Sequence, residues 1–128
     1  MNLLLDTHSF LWFVLSDSRL SGVVRAAIGD PNNTVHLSPA SYWEIAIKVR
    51  IGKYALPGPY APFIHQELAR NRFVILDITI DHTAVVATLP LHHRDPFDRL
   101  LIAQSLVERY PLISGDQLFD QYGITRLW

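Results

Sequence analysis

Four acidic residues stand beside predicted strands in a pattern that could bind divalent cations. Two of them follow buried apolar runs, and the other two lie near the starts of helices that adjoin such runs. Carboxylate oxygens are the ligands that Mg²⁺ and Mn²⁺ prefer. Such ions activate water and stabilise the transition state of phosphoryl transfer. The pattern therefore predicts a metal-dependent hydrolytic site built from Asp6, Glu44, Asp98 and Asp116.

The elements that carry these acids place them at one edge of a parallel sheet. Asp6 directly follows the first predicted strand, and Asp116 follows the fourth with one glycine between. Glu44 lies about a turn and a half into the helix after the second strand, and Asp98 opens the helix before the fourth. In open α/β sheets, ligands bind outside the carboxyl ends of the strands. Four carboxylates gathered there would repel one another unless cations neutralised them.

Each acid also has a structural alternative that spacing alone leaves open. Two of the acids could simply cap the helical segments that follow them, and Asp98 could complete a capping box opened by Asp95. Glu44 could form an i,i+4 pair with Lys48, which stabilises a helix by roughly 0.2–0.5 kcal/mol. The metal-site interpretation has the advantage that it explains all four positions together.

The alternation of apolar β-type runs with helical patterns favours an α/β domain with a parallel sheet. Ser38 followed by Pro39 has the form of an N-cap with proline at the first helical position. The predicted strands are Asn2–Leu5, Val35–Leu37, Phe73–Ile78, Leu112–Ser114 and an edge strand Ile124–Leu127. The predicted helices are His8–Leu15, Leu20–Gly29, Pro39–Ile51, Ala61–Asn71, Asp81–Leu89 and Pro96–Arg109, with a short turn at Gln117–Gln121.

The composition is that of one globular domain spanning residues 1–128. Hydrophobic residues make up 49% and charged residues 18% of the chain, which suits a well-filled core. No apolar run approaches the roughly 20 residues that a membrane helix needs. The apolar start from Met1 to Leu15 has no basic segment and is interrupted by Asp6, so we expect neither a signal peptide nor a membrane contact.

Cysteine content and charge narrow the function classes further. Cysteine is absent, which excludes disulfides and thiolate metal sites and is compatible with the cytoplasmic location that we expect. The net charge of −1 gives no general signature of nucleic-acid binding. If metal neutralised four of the 12 acidic side chains, however, 11 basic side chains would face the remaining 8. An anionic polymer would then meet a modestly positive surface.

The acids lie in four longer segments that occur in a family-specific order and spacing. These are LLLDTHSFLW (3–12), SPASYWEIAIKVRIGK (38–53), LPLHHRDPFDRLLIAQ (89–104) and LISGDQLFDQYG (112–123). In this combination the chain resembles the PIN-domain ribonucleases, specifically the VapC-type toxins of bacterial toxin–antitoxin modules. The resemblance covers essentially the whole chain, and it shows no departure at Asp6, Glu44, Asp98 or Asp116.

The resemblance implies a fold, a chemistry and a set of partners. The implied fold is a three-layer α/β/α sandwich with a central parallel sheet in the order 3-2-1-4-5. The implied activity is endonucleolytic cleavage of RNA by an activated water, with Mg²⁺ or Mn²⁺ held by the four acids. The implied partners are the RNA substrate, a cognate antitoxin that inhibits the enzyme, and a second copy of the chain in a homodimer.

The helix beginning at His8 is apolar around its whole circumference from Phe10 to Leu15. This is more than one core-facing stripe requires. Complete burial inside the domain is the default explanation. The alternative is that part of this surface meets a partner, and the resemblance favours a groove here that receives antitoxin side chains.

Several polar residues beside the acids have both a functional and a structural interpretation. Asp95 fits an N-cap better than a role in supporting the metal site. Thr7 and Ser114 could bind a metal-bound water or a phosphate, but a purely structural role is as good an explanation. His92 and His93 precede a helix, where histidines are more often ordinary polar loop residues than functional groups.

Five basic residues near the acidic segments are candidates for phosphate contacts, which position RNA without reading its bases. A solvated charge at a helix end is the alternative for each of them. Arg99, next to Asp98, is the first candidate to test. The full set is Lys48, Arg50, Lys53, Arg94 and Arg99.

Three other functions compete with the ribonuclease. A phosphohydrolase of the haloacid dehalogenase type also places an Asp after its first strand, but it requires a second Asp where this chain has His8. A phospho-receiver domain requires clustered N-terminal acids and a lysine after its last strand, and neither is present. A non-catalytic RNA- or protein-binding module, in which the acids only stabilise the fold, is the third. RNA cleavage that depends on Mg²⁺ would discriminate among them.

Overall fold

Twelve secondary-structure elements account for the fold, and the computed structural model describes all residues from 1 to 128. The strands are β1 (Asn2–Leu5), β2 (Thr34–Leu37), β3 (Val74–Ile75), β4 (Leu112–Ile113) and β5 (Arg126–Leu127). The helices are α1 (Thr7–Val14), α2 (Gly22–Gly29), α3 (Pro39–Arg50), α4 (Tyr60–Arg70), α5 (Ile80–Val86) and α6 (Pro96–Glu108), and a 3₁₀ helix spans Gln117–Tyr122. None of the helices has the length and apolar character that crossing a bilayer requires.

The five strands form one parallel sheet in the order β3-β2-β1-β4-β5. At its centre, Leu5 of β1 lies opposite Leu37 of β2 and Ile113 of β4. The residues that follow these three therefore leave the sheet at the same level. This register places Asp6 and the turn that leads to Asp116 at one edge of the sheet.

Both faces of the sheet are covered, because successive side chains of β1 point to opposite sides. Leu3 and Leu5 belong to a core cluster that also contains buried residues of α1, α2, α3 and α4. Leu4 belongs to a second cluster with residues of α6, β4 and the 3₁₀ helix. All three leucines are fully buried, and each contributes about 1.5–3 kcal/mol to stability. The predicted α/β/α sandwich with strand order 3-2-1-4-5 is thus confirmed.

The clearest difference from the predicted elements is the length of β3. The sequence predicts a strand over Phe73–Ile78, but the observed strand covers only Val74–Ile75. The carbonyl groups of Leu76 and Asp77 instead accept hydrogen bonds from Nε2 of Gln104, at 3.1 and 3.5 Å. The Gln104 side chain of α6 therefore satisfies the carbonyl groups just beyond the strand.

The other predicted boundaries differ from the observed ones by at most three residues, and local capping explains the starts of two helices. Helix α2 begins at Gly22 rather than Leu20, because the side chain of Ser21 accepts a hydrogen bond from the backbone N–H of Val24. Helix α5 begins at Ile80 rather than Asp81, because Thr79 closes a capping box there. Helix α3 begins at Pro39 with Ser38 as its N-cap, as predicted.

Candidate active site

All four predicted acids line one cleft at the carboxyl ends of the central strands. The cleft has a volume of about 140 Å³. No three histidine, aspartate or glutamate side chains form a ready-made coordination shell in it. The predicted gathering at one sheet edge is therefore observed, while the ligand and catalytic roles of the acids stay predictions. The lining residues are Asp6, Thr7, His8, Glu44, Lys48, Asp95, Asp98, Asp116 and Phe119.

Asp6 caps a helix and also lies in the wall of the cleft. It is the N-cap of α1, where its Oδ1 accepts a hydrogen bond of 2.8 Å from the backbone N–H of Ser9. The hydroxyl of Ser9 donates to the carbonyl of Ile113 at 3.1 Å, which ties the start of α1 to β4. Asp6 is also buried in the cleft wall. This burial raises its pKa, although the hydrogen bonds that it accepts act in the opposite direction.

Glu44 is held by both of its carboxylate oxygens. The hydroxyl of Thr7 donates to Oε1 at 2.6 Å, and Nζ of Lys48 lies 2.7 Å from Oε2. The predicted i,i+4 pair is therefore present, and it lies inside the cleft. Although burial opposes the charged form of Lys48, the hydrogen bond and charge of Glu44 raise the pKa of this lysine. Lys48 is consequently a permanent cation beside Glu44.

Asp98 differs from the other acids because its carboxylate accepts no hydrogen bond from the chain. It is half-buried in the first turn of α6. Burial raises the pKa of Asp98 to about 7, and the charges of Asp95 and Glu44 add to the shift. The Asp95 carboxylate itself caps α6, since its Oδ1 accepts from the backbone N–H groups of Phe97 and Asp98 at 2.7 and 3.1 Å. The predicted N-cap is thus confirmed, and it adds a fifth carboxylate to the cleft.

Asp116 is oriented by a buried histidine. Its Oδ1 caps the 3₁₀ helix through the N–H of Leu118, and its Oδ2 lies 3.0 Å from Nε2 of His93. The hydroxyl of Tyr122 accepts the backbone N–H of His93 at 2.7 Å and lies 3.0 Å from Nδ1 of the same residue. Because that hydroxyl can then donate its own proton to Nδ1, the hydrogen of the neutral imidazole is placed on Nε2, facing Asp116. His93 is therefore a positioning residue for Asp116.

Comparisons with known proteins show the family and the fold of the chain. A sequence model described as "PIN domain" matches residues 3–124. The chain belongs to the PIN-domain family. The family resemblance predicted from its four segments is thereby confirmed.

One curated relative and several solved structures are similar to this PIN domain. "Ribonuclease VapC16" of Mycobacterium tuberculosis is 40% identical over 60 residues, a match that spans 47% of this chain and 43% of that relative. VapBC2 from Rickettsia felis, solved bound to a DNA fragment from its promoter, has a TM-score of 0.74 at 15% identity and covers 99% of this chain and 98% of its own. VapBC-5 from M. tuberculosis, a member of a family of toxin–antitoxin systems, has a TM-score of 0.57 at 18% identity, with 98% of each chain covered. At these identities the structures show the shared fold.

The predicted phosphate contact of Arg99 is wrong for this PIN domain. Arg99 is buried rather than facing the cleft. Its guanidinium donates to backbone carbonyl groups of the segment before α6, which a planar group with five N–H donors can satisfy together. The residue therefore fixes the loop that carries His93 and Asp95. The carbonyl groups belong to Val86, Leu89, Pro90 and His93, at 3.4, 3.0, 2.8 and 3.3 Å.

Of the remaining basic candidates, only Lys48 lines the cleft of the PIN domain. Arg50, Lys53 and Arg94 are exposed outside the cleft lining. Five carboxylates thus face a single lysine. Without additional positive charge, the phosphates of an RNA chain would be repelled from this cleft.

Two polar residues at or beside the cleft were not predicted from the sequence. His8 lines it and is exposed, and its Nε2 lies 3.2 Å from the hydroxyl of Tyr54. Tyr54 comes from the loop after α3, where the sequence carries no periodic signal. The available signal for His8 was its place two residues after Asp6, in the first turn of α1. From the sequence, that position indicated only that another phosphohydrolase class is excluded.

The residues of the cleft suit a hydrated Mg²⁺ or Mn²⁺ ion. The acidic donors are all oxygen atoms, as hard cations require. The Asp98 carboxylate, without a hydrogen bond and with a raised pKa, marks a place where positive charge is lacking. Mg²⁺ normally keeps several waters and uses few carboxylates, so the absence of a compact shell is compatible with its binding.

Proposed function

We propose that this PIN domain is a Mg²⁺- or Mn²⁺-dependent endoribonuclease that acts as the toxin of a toxin–antitoxin pair. The observation that carries the proposal is the excess of negative charge in the cleft, where five carboxylates face one lysine. Such a cleft accepts a polyanion only together with cations. The name of the curated relative, a ribonuclease, and the toxin–antitoxin structures that share the fold support the same function.

The four acids would hold the divalent cation, and neighbouring residues would hold the acids. When bound, the cation would activate water and neutralise charge on the scissile phosphate. Thr7 and Lys48 keep Glu44 in one orientation, and His93 does the same for Asp116. Lys48 also supplies the cleft with a cation that can approach a phosphate oxygen.

The partners that we propose are RNA, a cognate antitoxin and a second copy of the chain, with residues 1–128 acting as one domain in the cytoplasm. Partly exposed apolar residues support such contacts. Leu15 at the end of α1 is 43% exposed, which suits the antitoxin groove expected there. Two residues of α3 and its C-cap residue follow one another at intervals of four and are 61%, 39% and 60% exposed: Trp43, Ile47 and Ile51. A homodimer would remove this apolar stripe from water.

RNA cleavage by the purified chain tests the proposed function. We expect the wild-type chain to cut single-stranded RNA in Mg²⁺ or Mn²⁺, and we expect the cutting to stop in EDTA and in Asp6→Asn. A matched control is Asp81→Asn, because Asp81 is an exposed acid in the first turn of α5. This variant should cut as fast as the wild type.

Three outcomes would overturn the ribonuclease proposal. RNA binding without turnover in either metal would indicate a non-catalytic binding module. Hydrolysis of p-nitrophenyl phosphate without RNA cleavage would indicate a phosphohydrolase. Unchanged cleavage by Asp6→Asn would mean that the activity does not come from this cleft.

A further inference from the structure

Three aromatic rings form a rim beside the acidic cleft. The imidazole of His8 is stacked on the indole of Trp12, with ring centroids 5.4 Å apart and planes 23° from parallel. Tyr54 meets His8 edge-on, with centroids 6.4 Å apart and planes at 71°. Of these rings, the imidazole is the one that also lines the cleft. The stack therefore begins where the proposed chemistry takes place.

Contacts on several sides hold this rim in place. The guanidinium of Arg19 lies 4.9 Å from the centroid of the Trp12 ring, and Trp128 packs against Trp12 with centroids 5.9 Å apart. On the other side, the hydroxyl of Tyr54 lies 3.2 Å from Nε2 of His8. The ammonium of Lys48 lies 5.3 Å from the centroid of the Tyr54 ring. A ring pair fixed in this way loses little conformational freedom when a ligand binds.

The imidazole of His8 has one face available for a ligand. Trp12 covers one face, and Tyr54 contacts the edge at Nε2. His8 is exposed, although it lies in the wall of the cleft. Proteins that bind single-stranded RNA commonly stack unpaired bases on aromatic side chains. A base next to a phosphate in the cleft would find such a ring at this position.

We propose that His8 and Trp12 form a stacking platform for an unpaired RNA base beside the scissile phosphate. The proposal rests on the proposed ribonuclease function, since it assigns a substrate subsite to the same cleft. Tyr54 is the residue that fixes the orientation of the platform through its hydrogen bond to His8. Because every base has a flat face, the platform favours unpaired RNA over duplex without selecting a particular base.

The test compares binding of two RNA probes. One is a fluorescein-labelled hexaribonucleotide, and the other is the same strand with its four central bases removed, so that both carry the same phosphates. Kd is measured by fluorescence anisotropy in Ca²⁺ buffer, and a gel verifies that the RNA stays intact. We expect the wild-type chain to bind the intact strand about tenfold more tightly than the abasic one, because stacking of one base on an aromatic ring changes Kd by about that factor.

Three variants of histidine show whether the preference comes from the platform. His8→Ala should lower the preference to less than about twofold, since it removes the ring that receives the base. His8→Phe keeps a ring without nitrogen atoms and should restore most of the preference. His65→Ala removes an exposed histidine of α4 that does not line the cleft, and it should bind like the wild type.

Several other outcomes separate failure of the platform from failure of the ribonuclease. Equal Kd values for the two probes with the wild-type chain, or no binding of either probe, would overturn the platform. An unchanged preference of His8→Ala for the intact strand would also overturn the platform, and would assign the rim to another partner such as a protein. If the chain cuts RNA in Mg²⁺ but binds the intact and the abasic strand equally, the platform fails while the ribonuclease stands. A preference for the intact strand that His8→Ala abolishes, without cleavage in Mg²⁺ or Mn²⁺, supports the base-stacking platform and overturns the ribonuclease.

Discussion

The two walls of the cleft differ in whether the protein itself compensates the charge of their carboxylates. In the wall built from α1 and α3, Glu44 receives a hydrogen bond from Thr7 and is paired with Lys48. In the wall built from α6, the Asp98 carboxylate accepts no hydrogen bond, and burial beside other acids raises its pKa to about 7. Glu44 is therefore compensated within the protein, whereas Asp98 is not.

The difference indicates where the chain relies on something outside itself. Taking a charge out of water costs free energy unless a partner compensates it. This cost arises in the α6 wall, where Asp98 and the N-cap residue Asp95 both line the cleft. Folding alone gains nothing from such an arrangement. A bound cation would supply the missing compensation, and we therefore propose that the principal metal contact lies on the α6 wall.

The largest effect should come from removing the unpartnered carboxylate. We expect Asp98→Asn to fold normally and to cut RNA at least about a hundredfold more slowly, since lost metal ligands and their supports cost activity on that scale. The measurement is the single-turnover cleavage rate in saturating Mg²⁺, with circular dichroism as the check on folding. The matched control is again Asp81→Asn, which should keep the wild-type rate. Cleavage by Asp98→Asn at the wild-type rate would remove Asp98 from the site.

The sheet edge and its acids could be predicted because they depend on local patterns. The run Leu3–Leu5 is apolar on both faces, as a central parallel strand must be, and the acid after it can only lie at the end of that strand. Asp95 and Pro96 are a cap and a first helical residue whatever the tertiary structure around them. These features need no information about distant parts of the chain.

The directions of long side chains could not be predicted in this way. Arg99 follows Asp98 directly, yet it is buried against backbone carbonyls while Asp98 faces the cleft. The outcome depends on how α6 is rotated against the loop before it, which only the folded chain determines. His93 presents the same difficulty, since its partner Asp116 lies 23 residues further along the chain.

A smaller effect should follow from making the two walls alike. Lys48→Met removes the counter-charge of Glu44 and leaves both walls with an unpaired acid. We expect the RNA-free variant to bind Mn²⁺ about tenfold more tightly, because a unit charge a few ångströms from a divalent ion contributes on that scale. Isothermal titration calorimetry measures the affinity. Lys53→Met, at an exposed lysine outside the cleft, is the control, and an equal gain in both variants would show that only net charge matters.

The smallest effect should appear in the pH dependence of stability without metal. The pKa of Asp98 is raised from 3.8 to about 7 in the folded chain. A raised carboxyl pKa stabilises the protonated native state, so this contribution is complete below pH 4 and is lost as the pH rises to about 7. In EDTA, the unfolding free energy of Asp98→Asn should therefore equal that of the wild type near pH 3.5 and exceed it at pH 8. A shift of this size corresponds to ~4 kcal/mol, and partial exposure reduces the expected difference to about 1–2 kcal/mol.

Urea unfolding at the two pH values measures this difference, and Mg²⁺ distinguishes its cause. Because a ligand that binds only the native state stabilises it, adding Mg²⁺ at pH 8 should raise the wild-type unfolding free energy and leave Asp98→Asn nearly unchanged. Equal stabilities of the two proteins at both pH values would mean that the α6 wall carries no uncompensated charge. The contrast between the two walls would then be lost, even if Asp98 were essential for cleavage.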